Sequence, residues 1–149
     1  MPRAHELGEQ LPIVSRQWSL RAFRERHELL YGAGNLMPEE WPERNVHSDD
    51  AAARREGLPE AVAAAPQVIA QVSRMMMSEF GEGWIRGGRI SVKMIRPVFA
   101  HELTVARAQI VGRSLEETKD GLRVRVQCNV KVETLEGKLC LVGTASCLE

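Results

Sequence analysis

The chain of 149 residues predicts an α+β fold in which an antiparallel sheet wraps around one long helix. Three features carry this reading. Pro66 to Phe80 places apolar residues at helical spacing without a break. From Arg89 onward the sequence alternates apolar and polar residues at the period of a strand. The apolar face of such a sheet needs a cover, and the Pro66 helix is the only segment large enough to supply it.

Length and composition narrow the classes. The length suits one domain over residues 1–149. Lys plus Arg and Asp plus Glu number 20 each, so no net field favours nucleic acid or an anionic membrane as the main partner. The opening MPRAHELGEQ lacks the apolar run of a signal peptide. No segment approaches the roughly 20 apolar residues that span a bilayer. The expectation is a soluble, cytoplasmic protein. Three cysteines, Cys128, Cys140 and Cys147, without CxxC spacing argue against a disulfide framework and a zinc site. They read as small apolar fillers.

In chain order, Ser19 can cap a helix whose stripe is Leu20, Phe23, Leu30 and Tyr31, with His27 on the same side and Gly32 and Gly34 ending it. The stretch AGNLMPEEWPER that follows is irregular, and the ring of Trp41 would tether it to the body. Next, NVHSDDAAARREGLP holds a short helix. Ser48 reads as its N-cap, Asp49 and Asp50 suit the positive end of the helix dipole, and Gly57 falls just past the end. Capping leaves Asn45 and His47 without a role. Pro66 then starts the long helix, with Val68, Ile69, Val72, Met75 and Met76 as its core stripe and Gly81 and Gly83 stopping it.

Everything after Trp84 reads as strand. Ile90, Val92 and Met94 alternate with Arg89, Ser91 and Lys93, and ELTVARAQIVG runs on to a turn near Lys119-Asp120-Gly121. LRVRVQCNVKV puts Leu122, Val124, Val126, Cys128, Val130 and Val132 on one face, with Arg123, Arg125, Gln127, Asn129 and Lys131 on the other. A turn at Leu135 to Lys138 returns the chain as a hairpin. Edge strands and leftover apolar surface favour the pairing of two copies.

Asn45, His47, Asp49, Ala53, Gly57, Leu58 and Pro59 fall into the pattern D-x-N-P-x-H-x-D, then Ala, then G-L-P. That pattern resembles the signature of the MaoC-like (R)-specific enoyl-CoA hydratases and dehydratases, a hot-dog family. ELGEQLP is similar to the family's opening strand, IRPVFAHELTV to its R-P-V-x-x-G-D-x-L segment and EGKLCLVGTASCL to its closing strand. The resemblance implies hydration of a 2-enoyl thioester, or dehydration of a 3-hydroxyacyl thioester, carried on coenzyme A or an acyl carrier protein. It implies no metal and no redox cofactor. His47 would be the base, Glu43 the acid that shares the water, and Asn45 the group that orients the water or the loop. The N–H of Ala65 would be the oxyanion donor. Asp49 would stand on the substrate side and could orient His47, while Arg89 and Lys93, with Arg96, would face carrier phosphates.

The chain also departs from the pattern. Asn45-Val46-His47 is one residue shorter than N-P-x-H, Ala63-Ala64-Ala65-Pro66 replaces A-H-G-M, and the loop from Tyr31 to Arg44 is long. These departures motivate an alternative, a non-catalytic hot-dog subunit that binds an acyl thioester or completes a heteromer. A third reading, a hot-dog thioesterase, would use Glu79.

Overall fold

The apolar stripe of the long helix decides the architecture. In the computed structural model, which describes residues 4–32 and 44–149, the elements are β1 (Val14–Gln17), α1 (Leu20–Gly32), α2 (Asp50–Arg55), α3 (Ala65–Phe80), α4 (Glu82–Gly87), β2 (Arg89–Met94), β3 (Leu103–Thr118), β4 (Gly121–Thr134) and β5 (Leu139–Leu148). All strand pairs are antiparallel, in the order β1-β3-β4-β5-β2. Val68, Val72, Met75 and Met76 of α3 are fully buried and share one core with Val126, Cys128, Val130 and Val132 of β4. This is the predicted sheet around a helix, with β1 as a fifth strand that the sequence reading did not separate.

Several local expectations change. ELGEQLP is no strand: it lies along β3 through Gly8 N to Ile110 O and Leu11 N to Ala108 O, with a single bridge from Gln10 to Gln109. Strand does not begin directly after Trp84, because α4 intervenes, anchored to α3 by the Trp84 indole N–H donating to Ser73 Oγ at 2.9 Å. Gly83 allows this packing, since a Cβ there would stand 1.8 Å from the Leu148 carbonyl oxygen. On β4 the alternation holds from Val126 to Val132, whereas Leu122 is 65 % exposed near the hairpin tip. Arg125, expected on the polar outer face, is buried: its guanidinium meets Glu116, the Gly87 carbonyl and Ser146 Oγ.

Polar groups also tie α3 to the sheet. Trp18 donates through Nε1 to Thr104 Oγ1 at 2.7 Å, and Thr104 donates in turn to Gln71 Oε1 at 2.8 Å. Gln71 Nε2 donates to the carbonyls of Val14 and Thr104. The Gln71 amide therefore bridges β1 and β3 from the middle of α3, and every member of the network is satisfied, as burial requires. His27 is buried on α1 beside Phe23, the packed position its stripe implied. All three cysteines are free and buried, and desolvation raises the Cys128 thiol to about 11 and the Cys147 thiol to about 12. They pack as thiols. No helix among the described residues is long and apolar enough to cross a membrane. The Trp41 tether lies outside the described residues.

Thr104→Val keeps the shape but removes the acceptor of the Trp18 indole and the donor to Gln71. The variant should lose about 1–3 kcal/mol, the usual cost of orphaning a buried polar group, read as a lower urea midpoint at unchanged slope.

Candidate functional site

The segment that enters α3 carries the site. Its four consecutive backbone N–H groups go to four different parts of the molecule. Ala61 N donates to Asp50 Oδ1 at 2.8 Å, Val62 N to Val46 O at 2.9 Å, Ala63 N to Val98 O at 2.8 Å, and Ala64 N to Gln67 Oε1 at 3.2 Å. α2 thereby lies on one side of the segment and the 96–102 turn on the other. That turn is itself pinned, because Glu102 accepts both Nη groups of Arg96 and the Phe99 N–H. Burial would raise the Glu102 carboxyl, but the Arg96 guanidinium outweighs it and holds the group below its usual range.

His47 hangs on this segment. Its ring Nδ1 lies 3.0 Å from the Val62 carbonyl oxygen. A carbonyl can only accept, so Nδ1 carries the hydrogen and Nε2 carries the lone pair. Among the described residues Nε2 has no hydrogen-bond partner, and the side chain is half-buried. The loop is shaped by Asn45: its Oδ1 accepts from His47 N at 2.9 Å and its carbonyl accepts from Ser48 N and Asp49 N, an Asx-type turn. Of the two roles open to Asn45, its Oδ1 holds the loop.

The first turn of α3 leaves one amide open. Ala64 is extended at φ −68° and ψ 143° and has no side-chain acceptor, so it cannot cap. Pro66 has no N–H, and Gln67 N turns back to Ala64 O at 2.9 Å. The Ala65 N–H bonds to nothing among the described residues. Val62, which holds His47, precedes Ala65 by three residues, at most about 11 Å of extended chain. A lone pair on imidazole and a free amide at a positive helix end thus stand at one end of α3.

The remaining residues are placed differently. The N-cap of α2 is Asp49, not Ser48: its side chain accepts from Ala52 N at 2.8 Å, a bond that lowers its carboxyl pKa. Ser48 instead closes the loop by accepting from Asn45 N at 3.1 Å. Asp49 is therefore committed to the helix start and shows no hydrogen bond to His47. Arg89 is a fork on Glu116, with contacts of 2.8 and 3.2 Å, and follows α4 at the C-terminal end of α3. The 16 residues of that helix span about 24 Å, so Arg89 is not brought to His47. Lys93 stands exposed on the same edge strand. Glu43 lies outside the described residues.

Glu79, the carboxylate of the thioesterase reading, has a structural partner. His5 is buried between Glu79 Oε1, 2.8 Å from its Nε2, and Glu149 Oε1, 2.7 Å from its Nδ1, with its ring 4.6 Å from that of Phe80. Arg113 binds the far oxygen of Glu149 and the His5 carbonyl. The cluster clasps the N-terminal segment to the end of α3, opposite the open amide. Sequence reading missed His5, whose partners lie 74 and 144 residues away.

Comparison with protein-family models and with curated proteins finds no match. Solved structures do match. The unliganded R-hydratase PhaJ1 from Pseudomonas aeruginosa superposes with a TM-score of 0.69 at 17 % identity, over 97 % of this chain and 81 % of its own. A MaoC-like dehydratase from Rhodospirillum rubrum gives 0.68 at 14 %, over 97 % and 92 %. The ChsH1-ChsH2 complex from Mycobacterium tuberculosis gives 0.68 at 14 %, over 97 % of both chains. The fold of this chain is the hot-dog fold of MaoC-like dehydratases and (R)-hydratases.

The His5 clasp gives stability a definite pH dependence. Burial pulls the imidazole pKa down, but Glu79 and Glu149 outweigh it and leave it above the ordinary 6.5. Its contribution is then complete below about pH 6.5 and is lost as pH rises through the folded value. His5→Gln should cost about 2 kcal/mol near pH 6, and the gap from the parent protein should narrow by about pH 9, in thermal melts.

Proposed function

We propose that the chain is a MaoC-like hydro-lyase, an enzyme that reversibly adds water to a 2-enoyl thioester or removes it from the 3-hydroxyacyl form. One observation supports this above the rest: the Nδ1 hydrogen bond to Val62 makes His47 Nε2 a base, on the segment that ends in the open Ala65 amide. In the hydration direction, Nε2 takes a proton from water as its oxygen bonds to C3. Electron density moves through C2 onto the thioester oxygen, where the Ala65 N–H stabilises it. A proton then returns to C2, so one water is added across one double bond. Glu43 is assigned as the acid that shares the water.

The substrate is carried on coenzyme A or an acyl carrier protein and no metal or redox group takes part. The setting is the cytoplasm. The protein works as a homodimer, a state supported by the place of β2 at the edge of the sheet and the exposed Ile90 on it.

A second reading is an acyl-thioester-binding subunit that completes a heteromer. It is favoured by the narrow donor set, with Pro66 in the first turn of α3 leaving Ala65 as the amide on offer. Glu79 and Arg89 support neither reading, being held in ion pairs at the other end of α3.

Purified protein given 2-enoyl-CoA thioesters of short and medium chain should consume them, seen as loss of the ultraviolet absorbance of the conjugated enoyl thioester. His47→Ala should lower kcat/KM by about 10²–10⁴-fold, the range for losing a general base, while the protein stays folded at a somewhat lower melting temperature because the Val62 carbonyl loses its partner. No turnover at any chain length, together with a mass above that of a homodimer only when a second hot-dog chain is added, would favour the subunit reading.

A further inference from the structure

We infer that Asp50 is a positioning residue for the site: its carboxylate sets the backbone that orients His47 and presents the Ala65 amide. The inference rests on the hydro-lyase reading for its catalytic consequence and on geometry alone for its structural one.

Asp50 is the first residue of α2, and an acid there is ordinarily accounted for by the helix dipole. Its contact says otherwise. Asp50 Oδ1 reaches across to the Ala61 N–H, 2.8 Å away and eleven residues on, while the capping of α2 falls to its neighbour Asp49. Ala61 is fully buried, so that N–H has no access to water as a substitute.

The position of the bond gives it leverage. Of the four N–H bonds that fix residues 61–64, those of Val62 and Ala63 run to backbone carbonyls. Those of Ala61 and Ala64 run to side chains, and only the one to Asp50 is charge-assisted. The Val62 carbonyl that holds His47 Nδ1 lies one residue beyond Ala61. Because Asp50 is only three residues past His47, one short loop touches the segment twice, once through the imidazole and once through the carboxylate. Rotation of the Val62 peptide would break the Nδ1 bond and release the ring to its other tautomer, with the hydrogen on Nε2 and the base lost.

The test uses the full chain labelled with ¹⁵N-histidine, His47 being assigned among the four histidines through His47→Gln. Long-range ¹H–¹⁵N spectra should show His47 as the Nδ1–H tautomer in the parent protein. Asp50→Ala should mix the tautomers and lower kcat/KM on crotonyl-CoA roughly 10- to 100-fold, mainly in kcat, as loss of alignment does. Asp50→Asn, whose amide oxygen still accepts from Ala61, should restore both. Should Asp50→Ala fail to fold, Asp50→Ser takes its place, with a hydroxyl one bond too short for Ala61. A parent His47 protonated on Nε2, a folded Asp50→Ala or Asp50→Ser with the parent tautomer, or an Asp50→Asn that behaves like Asp50→Ala, overturns the inference. A parent protein without hydratase activity would defeat the functional reading, while the tautomer shifts would still decide the role of Asp50.

Discussion

The constraint on which the structure depends is that α3 must bury its apolar stripe in the curve of the sheet. Val68, Val72, Met75 and Met76 are each worth about 1.5–3 kcal/mol when removed from water, and together they outweigh any single polar contact in the fold. Burying that face fixes the helix axis, and the Gln71 network sets its position along β1 and β3. Once the axis is fixed, the start of α3 has to lie where the 61–64 segment delivers it. The amides of a first turn cannot be satisfied from within the helix, so a donor is created there by necessity.

The two ends of α3 are used differently. Beyond its C-terminal end the charges are paired: Arg113 and His5 with Glu149, His5 with Glu79, and Arg89 and Arg125 with Glu116, whose carboxyl the Arg125 guanidinium draws down to about 2. Such pairs are spent on holding the N-terminal segment, α4 and the β3–β4 hairpin. At the N-terminal end backbone and side-chain bonds are mixed, and among the described residues they leave an amide and an imidazole nitrogen uncommitted. Uncommitted groups on a rigid scaffold can stabilise charge without reorganising.

What the sequence disclosed follows the same division. The α3 stripe and the β4 alternation were legible because burial on a regular element imposes a period. Arg125 broke the period-two reading because α4 and Glu116 cover the outer face at that point, a tertiary fact with no local signature. The cap of α2 moved by one residue because Ser48 and Asp49 are both competent caps, and the Asn45 turn had already claimed Ser48. His47 could be singled out by its motif. The acceptor of its ring could not, because Val62 offers a backbone carbonyl, and every residue has one.

Ala63-Ala64-Ala65-Pro66, which stands where the resembling signature reads A-H-G-M, has a selective physical effect on the start of α3. Proline fixes φ near −65° and so stiffens the first turn, and it withdraws only an N–H that a first turn would leave unpaired. Gln67 then folds back on Ala64 in both directions, its N–H to the Ala64 carbonyl and its Oε1 to the Ala64 N–H. Of the positions 64 to 67, Pro66 has no N–H, those of Ala64 and Gln67 are occupied, and that of Ala65 is open among the described residues. A methionine in place of Pro66 would supply one more N–H, and a glycine in place of Ala65 a looser backbone. Here one N–H fewer is on offer and the backbone is tightened, so the direction of the Ala65 N–H depends on how rigidly residues 61–64 are held.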